Sequence, residues 1–142
     1  MRRRLVLGAE FRRQIVEHAR AERPNECVGL LAGRGEVVER VHPIANEAKS
    51  PTRFFAAEGL FEPMRAMRAA GLELIGIYHS HPDSPAVPSV RDREENYYPD
   101  AVHVIVSLEG DEAEVRGWRL AEDGAEEVRL VQDGSAIQPF QG

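Results

Sequence analysis

The segment Leu72-Glu73-Leu74-Ile75-Gly76-Ile77-Tyr78-His79-Ser80-His81-Pro82 starts as an apolar, β-branched run with alternating pattern, which reads as a strand. If the strand runs on through position 81, His79 and His81 sit on one face of the sheet, because side chains alternate along a strand. Two imidazoles then converge on one point. Pro82 has no N–H to give to a ladder, so the strand stops there and a loop follows, Asp83-Ser84-Pro85-Ala86-Val87-Pro88. From Ser89 to about Tyr97 the chain reads as a helix, with Asp92 in its first turn, where it can reach back to the strand end.

Two neutral imidazoles and a carboxylate form the kind of three-ligand set that a catalytic zinc takes, with water in the fourth position. The same residues have plainer readings. Histidines at strand ends are often only hydrogen-bonded, and Ser89-x-x-Asp92 has the form of a capping box. Cap and ligand do not exclude each other.

His79-x-His81, seven residues, Ser89, two residues and Asp92 resemble the signature of the JAMM (MPN+) metalloprotease family, which also needs an upstream glutamate. Pro24-Asn25-Glu26-Cys27-Val28-Gly29-Leu30-Leu31 resembles the family's segment in which an acidic residue precedes a strand of the form x-x-Gly-Leu-Leu. The likeness runs from roughly Phe11 to Leu120. It implies an α/β (α+β), cytidine-deaminase-like fold with a curved mixed sheet flanked by helices, and a single JAMM/MPN+ domain over residues 1–142. It further implies Zn2+ held by His79, His81 and Asp92, with Glu26 as general base and Ser89 as donor to the oxyanion.

Outward from the histidines, Leu5-Val6-Leu7 reads as a short strand. Residues Ala9 to Arg23 read as a helix with Phe11, Ile15, Val16 and Ala19 on one stripe, closed by Pro24. Cys27 to Ala32 reads as a strand, Gly33-Arg34-Gly35-Glu36 as a hairpin turn, and Val37 to His42 as its return. Asn46 to Pro51 is a loop whose Asn-x-x-x-Ser-Pro stretch resembles bacterial members of the family. Thr52 to Ala56 reads as a strand. A helix over Glu58 to Ala70 turns Leu60, Phe61, Met64 and Met67 inward and ends at Gly71. Strands follow over Ala101–Leu108, Glu114–Leu120 and Glu126–Val131, the last two around an Asp123-Gly124 turn, and the last few residues read as disordered. His103 lies mid-strand and reads as a hydrogen-bonded structural residue, although its type also suits a fourth ligand. His18 and His42 have no partners at ligand spacing.

A chain of 142 residues with formal net charge −6 can bury a core and is a poor candidate for nucleic-acid binding. A single cysteine, Cys27, excludes an internal disulfide and a Cys-based zinc site, and reads as a small buried residue. The Arg-rich start lacks a signal-length apolar run and no stretch reaches transmembrane length, so the reading is a cytoplasmic protein.

Amide hydrolysis needs an activated water, charge stabilisation at the oxyanion and a proton for the leaving amine. Zinc would lower the pKa of bound water toward about 7. His79-x-His81-x-Asp83 also opens a metallo-β-lactamase signature, but Ser84 stands where that family needs histidine. The Pro-Cys-x-x-Cys ligands of zinc deaminases are absent. The resemblance implies cleavage after the C-terminal Gly-Gly of a ubiquitin-like protein, here a ubiquitin-like sulfur carrier or its conjugates, with release of a C-terminal cysteine among the outcomes. The rival reading is a catalytically silent MPN-fold scaffold with a structural zinc. Oligomeric state stays open, a homodimer included.

Overall fold

The computed structural model describes residues 3–46, 48–50, 60–96, 98–121 and 123–133. Its elements in chain order are β1 (Arg4–Val6), α1 (Ala9–Glu22), β2 (Val28–Arg34), β3 (Val37–Ile44), α2 (Phe61–Ala69), β4 (Glu73–His81), α3 (Val90–Glu94), β5 (Val102–Ser107), β6 (Glu114–Ala121) and β7 (Gly124–Val131). The strand expected over Thr52–Ala56, the first residues of the second expected helix and the terminal residues 134–142 lie outside the described residues.

The strands follow the order β1-β3-β2-β4-β5-β6-β7 and close into a barrel. The expected curved mixed sheet is present: β1 pairs in parallel with β3 and β7, β4 pairs in parallel with β5, and the remaining pairs are antiparallel. Closure adds to the curved mixed sheet expected from sequence. The three-residue β1 achieves it, pairing Arg4 to Val6 with Arg129 to Val131 while Val6 also meets Val37. Right-handed twist brings the sheet's ends close enough for one short strand to join them.

Helices cover the barrel through two apolar clusters. Ile15, Val16 and Ala19 of α1 pack with Leu31, Ile75, Val102, Val104 and Val106. Met67 of α2 packs with Val28, Leu30, Ala32 and Ile77, with Leu60 and Met64 beside it. Each large aliphatic buried in this way contributes about 1.5–3 kcal/mol relative to exposure. Phe61, expected inward, is instead 67% exposed. The inward stripe of α2 follows Leu60, Met64 and Met67 at i, i+4 and i+7, and Phe61 is one position off it.

Several boundaries moved for local reasons. β2 runs on to Arg34, so the turn is the two residues Gly35-Glu36, with Gly35 at φ +60. That is a first-turn position open to glycine. The expected helix from Ser89 to Tyr97 is only α3, with Ser89 as its N-cap and Glu95 as its C-cap. Asn96 leaves the helical path to bridge Leu120 O and His103. Among the described residues no helix is long and apolar enough to cross a membrane.

β4 is the element that carries the histidines, and its neighbours fix their height. Val28 of β2 stands opposite His79, which in turn stands opposite Ile105 of β5. A register shift between Leu31 and Ala32 leaves Ile75 unmatched, so Ile75 joins the α1-side cluster although Ile77 belongs to the other. Tyr78 and Ser80 then point to the α1 side, and His79 and His81 to the opposite face.

Candidate metal centre

His79 and His81 are both buried, 1% and 5% exposed, with Nε2 atoms 3.1 Å apart. Asp92 completes the group: one carboxylate oxygen lies 3.2 Å from His79 Nε2 and the other 3.2 Å from His81 Nε2. The donor atoms of all three residues lie within 4.8 Å of one another, an arrangement that could hold a metal ion. His81 Nδ1 lies 2.8 Å from Pro85 O. A carbonyl only accepts, so Nδ1 carries a hydrogen; in the neutral ring the lone pair would then be on Nε2, the nitrogen that faces the cluster.

The loop and cap bring Asp92 to the strand end. Ser89 N donates to Asp92 Oδ2 at 2.9 Å, and Asp92 N donates to Ser89 Oγ at 3.0 Å, a reciprocal capping box. Cap and cluster member are therefore one carboxylate. Since Ser89 Oγ accepts from Asp92 N, its own hydrogen stays available for a further acceptor. Burial opposes ionisation of Asp92, but the adjacent imidazoles and the Ser89 N–H outweigh it and hold the carboxyl well below its usual range. Burial likewise opposes charge on His81, yet the hydrogen bonds to Asp92 and Pro85 raise its pKa.

Glu26 stands at the mouth of β2, 3% exposed, with both main-chain groups held: its N–H donates to Ser50 O at 2.7 Å and its carbonyl accepts from Asn46 Nδ2 at 2.9 Å. Its Oε1 is buried without a hydrogen-bond partner among the described residues. Burial pushes its pKa up to about 8, with nearby His81 and Arg91 opposing and Asp92 adding to the rise. Glu26 is outside the three-residue cluster, as is His103. His103 pairs with Asn96 Oδ1 at 3.0 Å and is held down to about 4 by burial and by His79, the structural role expected for it. Cys27 is fully buried, and burial lifts its thiol to about 12, leaving it an inert core residue.

Residues 8–121 match the family of prokaryotic homologs of the JAB domain. The chain belongs to that family. The JAMM (MPN+) resemblance read from His79, His81, Ser89 and Asp92 and the mixed sheet with flanking helices agree with it.

This JAB domain is 42% identical over 125 residues to the probable TtuB-protein conjugate cleaving protease of Thermus thermophilus, covering 84% of this chain and 79% of that one. It is 36% identical over 135 residues to the CysO-cysteine peptidase of Mycobacterium tuberculosis, covering 90% and 92%. The solution structure of protein DSY2949 from Desulfitobacterium hafniense matches with a TM-score of 0.82 at 29% identity, over 96% of this chain and 99% of that one.

Several supports of the JAB site had no distinct sequence signal. Pro85 acts through a backbone carbonyl. Asn46 stood out only as part of a loop. Ser80 Oγ accepts from Cys27 N at 2.8 Å, tying β4 to the residue after Glu26. Behind the site, Tyr78 OH lies 2.7 Å from Nδ1 of His18, whose pKa burial lowers. A cavity of about 890 Å³ lies at the other end of β4, lined by Glu73, Asp100, Arg119 and Asp123 among others, and contains none of the cluster residues.

Proposed function

We propose that this JAB domain, read as one domain over residues 1–142, is a zinc-dependent peptidase or isopeptidase. Its substrate would be the amide bond after the C-terminal Gly-Gly of a ubiquitin-like sulfur carrier or its conjugate. The observation that carries the reading is the convergence of His79 Nε2, His81 Nε2 and the Asp92 carboxylate, with the His81 lone pair set by Pro85 O. The donor set fits zinc: two imidazoles, a carboxylate kept ionised, and no fourth side chain in the cluster among the described residues. Bound there, zinc would supply Lewis acidity and an activated water at neutral pH.

The residues around it have separable tasks. In its ionised form the buried Glu26 takes a proton from the attacking water and delivers it to the leaving amine. Ser89 uses its remaining O–H to donate to the developing oxyanion. His81 keeps its ligand tautomer through Pro85, and Asp92 keeps its orientation through the Ser89 amide. The substrate class is supported by the relatives: one is named for cleaving TtuB conjugates, another as a CysO-cysteine peptidase.

The test offers zinc-loaded protein two carriers extended past Gly-Gly, one by a single cysteine and one through a lysine side chain. Intact masses are read with and without chelator. Loss of the extension only without chelator supports the peptidase, and the preferred carrier separates maturation from conjugate removal. One zinc per chain with neither carrier cut would sink the substrate assignment and favour the scaffold.

A further inference from the structure

Three consecutive carbonyls of the loop after β4 are each taken by a side chain from a different strand. Ser107 of β5 donates its hydroxyl to Ser84 O at 2.6 Å. His81 of β4 donates Nδ1–H to Pro85 O at 2.8 Å. Trp118 of β6 donates its indole N–H to Ala86 O at 2.9 Å in a buried contact. The outer two donors are held on β5 and β6, Ser107 directly across the ladder from His81 and Trp118 across from His103. Ser107 is 4% exposed, and Trp118 packs with Ala86, Ile105 and Leu120 in a cluster of its own. Arg116 lies 4.8 Å from the centre of the Trp118 ring and is itself paired with Glu127 of β7.

A peptide unit is planar, so Pro85 O turns only with the whole Pro85–Ala86 unit, about the two Cα atoms that this unit shares with its neighbours. Clamping the carbonyls of Ser84 and Ala86 therefore restricts the one between them. We propose that Ser107 and Trp118 are positioning residues for the metal site. By holding Ser84 O and Ala86 O they aim Pro85 O at His81 Nδ1 and so hold His81 Nε2 toward His79 and Asp92. The same clamp sets where the loop delivers Ser89, only three residues after Ala86. In this role Trp118 touches neither substrate nor metal. It acts one step further out than the direct partner of a ligating histidine, whose loss costs 10–100-fold in metal affinity.

This inference rests on the zinc reading, and its test keeps the two apart. Metal-free wild type, Trp118→Phe and Ser107→Ala are titrated with zinc against a competing chelator, and the ring nitrogens of His81 are followed by 15N NMR in the metal-free proteins. Phe keeps an aromatic ring without the N–H, and Ser107→Ala removes the other clamp from a separate strand, so failure of one variant to fold leaves the other. The expected result is a loss of about tenfold or more in zinc affinity in the folded variants. The Nδ1–H form of His81 should be replaced by a mixture of tautomers. A purely structural role would lower the melting temperature while leaving affinity and tautomer as in wild type, and that result in the variants that fold overturns the proposal. If wild type itself binds no zinc, the zinc reading falls; the clamp then stands if the variants still lose the Nδ1–H form and falls if they keep it.

Discussion

Glu26 is a carboxylic acid placed where ionisation is costly, and its neighbours do not offset that cost. Burial raises it to about 8 from an ordinary value near 4.5. Exchange to Gln keeps the shape and removes the proton chemistry. Glu26→Gln should therefore retain zinc, measured by elemental analysis, and lose nearly all hydrolysis; a rate within a few-fold of wild type would remove Glu26 from the role of base. The sign of the linkage follows from the raised pKa. Its contribution to the stability of the metal-free protein is full below about 4.5 and is lost as pH rises through 8. The stability of wild type relative to Glu26→Gln, taken from denaturant melts, should accordingly decline over that window. Ser89 caps α3, and the oxyanion role proposed for it separates from the cap by measurement. Ser89→Ala should lower stability by about 1 kcal/mol as a lost N-cap and lower the rate by about 10²- to 10³-fold as a lost oxyanion donor. A loss of stability with an unchanged rate would leave Ser89 as a cap only.

At the level of elements, β4 is a two-sided strand: Tyr78 and Ser80 work on the α1 side, His79 and His81 on the other. Its pairing with β2 depends on a missing side chain. A Cβ on Gly29 would overlap the ring of Tyr78, which is fully buried and hydrogen-bonded to His18. Gly29→Ala should therefore destabilise the fold by about 1–3 kcal/mol or more, since neither the ring nor the strand can yield cheaply. A thermal midpoint equal to wild type would contradict this packing. Asn46 and Ser50 hold both backbone groups of Glu26, as the capping box holds the N–H and the carboxylate of Asp92.

For the whole molecule, the core and the candidate centre are built from different residues. The two large apolar clusters contain none of His79, His81 and Asp92. Chelation should thus abolish hydrolysis while circular dichroism stays native, with the melting temperature lowered only by the lost binding energy. Cooperative unfolding on chelation, as in a zinc finger, would show that the barrel needs the ion to fold.

The sequence by itself determined much of this. Alternation placed His79 and His81 on one face, because a strand's side-chain period is two residues. Spacing put Asp92 in the first turn after Ser89, and apolar stripes at helical spacing located α1 and α2. These are local consequences of backbone geometry, readable without knowing what lies opposite. Only the tertiary structure decided the rest. Barrel closure depends on β1 meeting β7, far apart in the chain. The orphaned oxygen of Glu26, the exposure of Phe61 and the shortness of α3 depend on which surfaces the fold brings against them. The tautomer of His81 is set by a backbone carbonyl, and a carbonyl is common to every residue, so no residue type announces it.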